Sequence, residues 1–405
     1  MMMEKKQSWS KHGHTYESDQ SKGAILVKTY GSPWSNSSIL KTPCEQSRQK
    51  ASEIARFHIQ DMRSWFRDSF FRMSKKDEER EKRERAFFEN GSKLLEKLIV
   101  SCNGKSIPIR SFSAQELQQA TNNYNKRYGM RWYEGSLEGR MVFVKRFPEN
   151  ESFAEFVIND IVISAQMSAH SNVLKPIGCC LETTSPILVF EFAANGFLAD
   201  QIFVYHITQQ QNQPMVWERR LKIARQIAHA ISYLHAAFSR PVIHMYIDIK
   251  NILLDEHDVP KLSNFYFSVS IPEGETDVEG FQNRHPMFRT PELEATGKVN
   301  EKTDVYKFGV VLLELLTGED SDNIIRLAND EGSNLVAYMH NRDQVCCINE
   351  IVDPAILVGE GGASLEQQLQ SVVDLALTCT EEDPERRPTM VDVTKELRRI
   401  ESFVP

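Results

Sequence analysis

Hydrophobic and polar positions sort this chain into stretches of different period. Residues 1 to about 47 carry Gly, Ser, Pro, Lys and scattered polar residues with no period, and they read as disordered. In residues 48–73, Ile54, Phe57, Trp65, Phe66 and Phe70 are interleaved with Arg48, Arg56, Arg63, Arg67 and Arg72. Two readings stand here: a basic amphipathic helix lying on a membrane surface, or a loosely ordered extension that the working product lacks, with Met73 as a candidate alternative start. From Ser74 a run of charges reads as a solvated helix. A second helix follows, whose stripe of Leu94, Leu95, Leu98 and Ile99 is expected to dock on the lobe after it. Residues 73–111 are therefore a helical leader.

Beyond it the period changes. Ser113 with Glu116 is a capping box opening a helix with Leu117 inside. The short apolar runs Val142-Phe143-Val144 and Ile187–Phe192 are strands, on either side of a helix expected over roughly Phe153 to Ala169. Further on, Leu221, Ala224, Ile227, Ala228, Ile231 and Leu234 recur at helical spacing, which marks core packing. Asp304 opens a long apolar helix. Strands come first and helices after, an α+β arrangement over residues 112–405.

Composition narrows the classes. Hydrophobic residues make up 41% of the 405, ordinary for a soluble globular protein, and the net charge of -8 argues against a nucleic-acid surface. Seven cysteines, with adjacent pairs Cys179-Cys180 and Cys346-Cys347, show neither a disulfide framework nor metal spacing. No apolar run approaches the ~18 residues of a membrane span, and the expected location is cytoplasmic.

The candidate chemistry lies in Pro241–Phe267, PVIHMYIDIKNILLDEHDVPKLSNFYF. This stretch resembles the catalytic core of a protein kinase, which implies a bilobal fold with a small β-rich lobe and a helical large lobe. A working kinase carries His-Arg-Asp, one residue, Lys, two residues, Asn, and later Asp-Phe-Gly. Anchored on Asn251, the ungapped fit sets His244 on the His, Met245 on the Arg, Tyr246 on the Asp and Asp248 on the Lys. Asn264, Phe265 and Tyr266 then replace Asp-Phe-Gly.

Each exchange removes a function. The loop Asp accepts the substrate proton, whereas a phenol has a pKa near ~10. Asp248 would repel the transferred phosphate that a Lys neutralises. Asn264 offers one neutral oxygen to a cation that prefers carboxylate. Met245 removes the receiver of a phosphorylated activation loop.

The small lobe continues the pattern. RYGMRWYEGSLEGRMVFVKRF holds a lone Gly129 where a glycine cradle would cover the phosphates. Lys145 is retained, while Phe143 replaces an Ala and Trp132 a Val of the adenine site. Each aromatic buries on the order of 150–250 Å², enough to fill the pocket. Asp160 stands where a Glu would meet the Lys, one methylene short, and Phe190 is at the gatekeeper position. In the large lobe the resemblance implies structural roles: His244 and Phe265 in the loop and turn, Asp304 hydrogen-bonded to the loop backbone, and Glu292 of Thr290-Pro291-Glu292 paired with Arg387. Ser268, Ser270, Thr276 and Thr290 in the activation segment are candidate sites of acetylation or phosphorylation.

Several phrases narrow the family. FSAQELQQATNNY resembles the leader of plant receptor-like kinase domains, and YNKRYGMRWYEGSLEGR, VINDIVISAQMSAHSN, PIGCCLE and FSVSIPEGE resemble plant receptor-like cytoplasmic kinases of class XII, close to wall-associated kinases. That group holds pseudokinase adaptors for a nucleotide-binding leucine-rich-repeat immune receptor. The resemblance implies a silent adaptor without ATP or Mg²⁺, with that receptor, other receptor-like cytoplasmic kinases and pathogen effectors as expected partners, and at most a peripheral membrane association. The alternatives are an atypical Ser/Thr kinase using Lys145 and Asn251, and a sensor that binds ATP without transferring it.

Overall fold

The computed structural model describes Gln60 and residues 75–101, 109–208, 214–280, 289–321, 335–342, 348–357 and 363–403. The chain divides into two units, Met1–Met73 and Ser74–Pro405. The disordered and amphipathic readings of the first unit fall, Gln60 apart, outside the described residues.

The second unit opens with one helix, α1, over 75–101, where two were expected. Gly91 does not break it, and there is open space where its side chain would be. Beside it, the buried Asn90 amide donates to Leu181 O at 3.0 Å and Thr183 O at 2.9 Å, tying mid-helix to the lobe. Leu94 and Leu98, four residues apart on one face, pack inward. Leu95 and Ile99 do not dock as expected; with Phe88 they are exposed.

The small lobe is built from β1 (Arg110–Ser111), α2 (Ala114–Ala120), β2 (Trp132–Leu137), β3 (Arg140–Arg146), α3 (Ala154–Gln166), β4 (Pro176–Cys180) and β5 (Ile187–Glu191). Its five-stranded sheet runs β1-β4-β5-β3-β2. The capping box of α2 forms as read, with Ser113 N donating to the Glu116 carboxylate at 2.7 Å and Glu116 N to Ser113 Oγ at 3.2 Å. Register decides the two faces of the sheet. Trp132 pairs with Lys145, Glu134 with Phe143, and Phe143 with Phe190. Because side chains alternate along a strand, Trp132, Phe143, Lys145 and Phe190 share the face toward α3. Val142, Val144, Ile187 and Val189 take the other face, against Phe112 and Leu117.

The large lobe contains β6 (Gly196–Phe197), α4 (Leu198–Thr208), α5 (Trp217–Ala236), β7 (Val242–Ile243), β8 (Ile252–Leu254), β9 (Pro260–Leu262), β10 (Val269–Ser270), β11 (Val278–Glu279), α6 (Pro291–Thr296), β12 (Lys298–Val299), α7 (Glu301–Thr317), α8 (Leu335–Arg342), α9 (Ile348–Ile351), α10 (Ala363–Cys379) and α11 (Met390–Glu401). Every position of the expected α5 stripe, Leu221, Ala224, Ile227, Ala228, Ile231 and Leu234, is buried. The stripe faces a core shared with α7, α10 and α11. Arg387 Nη2 meets Glu292 Oε2 at 2.9 Å, and Thr303 Oγ1 donates to Glu292 Oε1 at 2.7 Å. Among the described residues, no helix is long and apolar enough to cross a membrane.

Candidate functional site

The loop between β7 and β8 hangs from one carboxylate. Asp304, fully buried in the first turn of α7, accepts from His244 N at 2.8 Å on Oδ2 and from Met245 N at 2.9 Å on Oδ1, and His235 Nε2 lies 2.8 Å from Oδ2. Met245 is held with φ +64, a left-handed conformation that few non-glycine residues adopt. Its side chain is buried among Ile243, Ile271, Leu293 and Val299, so it has become a core residue. Tyr246 N donates to His244 Nδ1 at 3.2 Å, which leaves the proton on Nε2 to face Ser263 O at 3.2 Å. Burial keeps the His244 imidazole below its usual pKa and hence neutral. Its ring lies 4.8 Å from that of Phe265.

Tyr246 is half-buried, with Tyr266 and Phe267 edge-on to its ring at 5.5 and 5.7 Å. Burial pushes its phenol, already a weak acid, further up. Asp248 turns back to cap the 249–251 turn, accepting from Lys250 N at 2.7 Å, and burial raises its carboxyl as well.

Across the cleft, Lys145 is enclosed. Its Nζ donates to Asp160 Oδ2 at 2.6 Å and to Asn264 Oδ1, and it lies over the rings of Trp132, Phe147 and Tyr266 at 5.1, 5.2 and 4.7 Å. The pair forms despite the shorter Asp160 and is wholly buried, at 1% and 0% side-chain exposure. Burial pulls the Lys145 ammonium below its usual pKa against the pull of Asp160. Asn264, at φ +70, then donates through Nδ2 to Asn251 Oδ1 at 2.5 Å, and Asn251 Nδ2 reaches Tyr246 O at 3.2 Å. Asparagine tolerates this left-handed backbone better than most residues. A chain of side-chain hydrogen bonds thus runs from β3 to the loop.

Trp132 and Phe143 do meet, with ring centroids 5.8 Å apart, but they are not alone. Phe190 lies 5.5 Å from Trp132, Phe192 4.7 Å from Phe143, and Phe197 6.5 Å from Trp132. Tyr128 closes the group at 5.2 Å from Phe143 and 5.7 Å from Phe197. The sequence reading missed Tyr128, Phe192 and Phe197 in this cluster. For Tyr128 and Phe197 the available signal was the adjoining glycine, because Gly129 and Gly196 both take positive φ.

The four hydroxyls divide. Ser270 and Thr276 are exposed, whereas Ser268 and Thr290 are buried and not presented to a modifying enzyme. Ser268 Oγ donates to His244 O at 3.2 Å, so its expected role gives way to a structural one.

Residues 122–397 match the family model described as protein tyrosine and serine/threonine kinase. The chain belongs to the protein kinase family. Within it, this kinase domain is similar to the Arabidopsis thaliana serine/threonine-protein kinase ZRK1, 37% identical over 80% of this chain and 94% of the relative. It is also similar to two proteins of the same plant named as non-functional pseudokinases. ZRK2 is 36% identical over 85% of this chain and 98% of its own length, and ZED1 is 37% identical over 80% and 98%. Kinases and pseudokinases resemble this domain about equally.

Proposed function

We propose that this kinase domain is catalytically silent and serves as a protein-binding adaptor in plant innate immune signalling, presenting modified kinases or itself to a nucleotide-binding leucine-rich-repeat receptor. One observation carries the silent half. The Lys145 ammonium, which would hold nucleotide phosphates, is enclosed by Asp160, Asn264 and three rings, beside a cluster of six aromatic side chains. On this reading the residues present do not fit a magnesium-bound nucleotide. The purine space is taken by Trp132, Phe143 and Tyr128, and Asn264 spends its amide on Lys145 and Asn251. The adaptor half is supported by similarity to the named pseudokinases and by a large lobe that keeps its frame through Asp304 and Glu292-Arg387. The setting is cytoplasmic, with contact at the plasma-membrane periphery at most.

The second reading, residual Ser/Thr kinase activity, draws on the retained Lys145 and Asn251 and on similarity to ZRK1. Purified domain with Mg-ATP separates the two. A flat thermal shift, with phosphate incorporation no greater than in Lys145→Met, is the expected result, since a bound ligand would stabilise by mass action. Incorporation above that control overturns the silent reading. The adaptor half is tested by whether the tagged domain co-purifies from plant tissue with a leucine-rich-repeat receptor, and it fails if none is recovered.

A further inference from the structure

Two histidines meet where the loop after α3 crosses α5. His170 Nε2 lies 3.0 Å from His229 Nδ1, with ring centroids 4.9 Å apart. A third residue fixes the direction of this hydrogen bond. Asn172 N donates to His170 Nδ1 at 3.2 Å, so a neutral His170 carries its proton on Nε2 and gives it to His229 Nδ1. The proton of His229 then sits on its own Nε2. His170 is buried and His229 is exposed, so the row of donors runs from the backbone at 172 through a buried ring to the surface.

The pair holds one proton on each ring and has no place for another, because Nδ1 of both rings is already an acceptor. A proton added to His229 Nδ1 sets N–H against N–H, and one added to His170 Nδ1 does the same toward Asn172. The neighbours do not offset the added charge. Tyr233, one turn along α5, presents a ring 5.3 Å from His170. Lys261 of β9 donates to Ser171 O at 2.9 Å and brings a cation to this side, while Asp255 and Glu191 lie 3.3 and 3.9 Å from its ammonium. Arg225, one turn back along α5, is paired with Glu401 of α11. Burial, and after it the charge of His229, pulls His170 below its usual pKa.

We propose that His170 and His229 form a proton-operated staple between the lobes, closed while both rings are neutral and opened when the pair takes up a further proton. That proton enters from solvent at His229, the exposed ring. His229 then carries an N–H on both nitrogens, and His170 Nε2–H loses its acceptor. Because His170 is held low, the staple is complete above the ordinary imidazole range and is lost as pH falls below it. The loop it frees also holds β9, since Asn172 Nδ2 donates to Pro260 O at 3.1 Å and Leu262 N donates to Asn172 O at 2.8 Å. Acid therefore loosens a joint between the lobes, whichever reading of the cleft holds.

Hydrogen–deuterium exchange on the full chain, corrected for the intrinsic effect of pH, tests it. From about pH 8 to about pH 5.5 the parent is expected to lose about tenfold protection in 168–174 and at Leu262, with α7 unchanged. His229→Asn keeps a neutral acceptor close to the place of Nδ1 and is expected to hold its protection at both values. His229→Ala offers no acceptor and is expected to be open at both. Equal protection of the parent at the two values overturns the staple. So does an acid loss in His229→Asn as large as the parent's, which would trace the change to another group. Nitrogen-15 spectra of the imidazoles give a second readout. At about pH 8 both rings are expected to carry the proton on Nε2, and a proton on His170 Nδ1 would overturn the proposal.

Discussion

The phenol of Tyr128 lies directly over Gly196: a Cβ placed on that glycine would overlap the hydroxyl and come within 3.0 Å of Cζ. Gly196 also has φ +73, where an L side chain costs roughly 1–2 kcal/mol by itself. Gly196→Ala is therefore expected to destabilise by that amount plus the cost of expelling Tyr128. In urea titrations, a cycle with Tyr128→Ala should show coupling of about 0.5–3 kcal/mol. Strict additivity would mean that the ring does not rest on the glycine.

Phe143 is fully buried at the centre of the aromatic cluster. Phe143→Ala should cost about 3–5 kcal/mol, the usual range for a core aromatic. The space left is lined by Tyr128, Trp132, Phe190 and Phe192, an apolar lining that stays dry. Benzene should accordingly raise the melting temperature of the variant and not of the parent. Equal shifts in both proteins would mean that no such cavity forms.

Arg387 Nη1 and Nε also donate to Lys302 O at 3.0 Å and Glu381 O at 2.7 Å, so its guanidinium joins two segments besides Glu292. Arg387→Met should cost about 3–5 kcal/mol, since it strands a mostly buried carboxylate. Burial pushes Glu292 up, but Arg387 outweighs this and leaves its pKa below the ordinary value. That depressed carboxyl contributes stability above its unfolded value and loses it as pH falls through the lower, folded value. Acid titration of Arg387→Met followed by circular dichroism should lack this loss, and an unchanged acid limb would count against the pair.

Glu314 behaves in the opposite sense. Full burial, with Asp248 nearby, pushes its carboxyl up to about 8, while Ser321 N donates to it at 3.1 Å. Between the ordinary carboxyl range and about 8 the folded chain keeps a proton that the unfolded chain has released. Stability should fall as pH rises through this window, by on the order of a few kcal/mol. Glu314→Gln keeps the acceptor for Ser321 and has no charge to bury. Its melting temperature should overtake the parent's above pH 8, and parallel profiles from pH 5 to 9 would refute the assignment.

Sequence period was enough to place α5, because Leu221 to Leu234 repeat at helical spacing and nothing in the tertiary structure opposes it. The capping box of α2 was equally legible, being local chemistry within four residues. Glu292, Arg387, Asp304 and the loop exchanges were readable through resemblance, since their partners lie 59 to 95 positions away and no period links them. The sequence hid what depends on backbone direction. Tyr128 and Phe197 enter the aromatic cluster because glycines turn the chain, and Asn159 looks like one more polar helix residue until the 265–268 turn is laid against it. The continuity of α1 was obscured by Gly91, whose intrinsic cost of about 1 kcal/mol is offset when the helix docks along one face.

Asp304 grips the backbone of residues 244 and 245 through N–H groups that every amino acid except proline possesses. This part of the path of the loop is thereby written in main chain and anchored from α7. A new side chain at 245 or 246 must still find its own packing, Met245 in the core and Tyr246 against Tyr266 and Phe267. Yet the two N–H bonds to Asp304 survive the exchange, and the loop can keep its path while its chemistry changes.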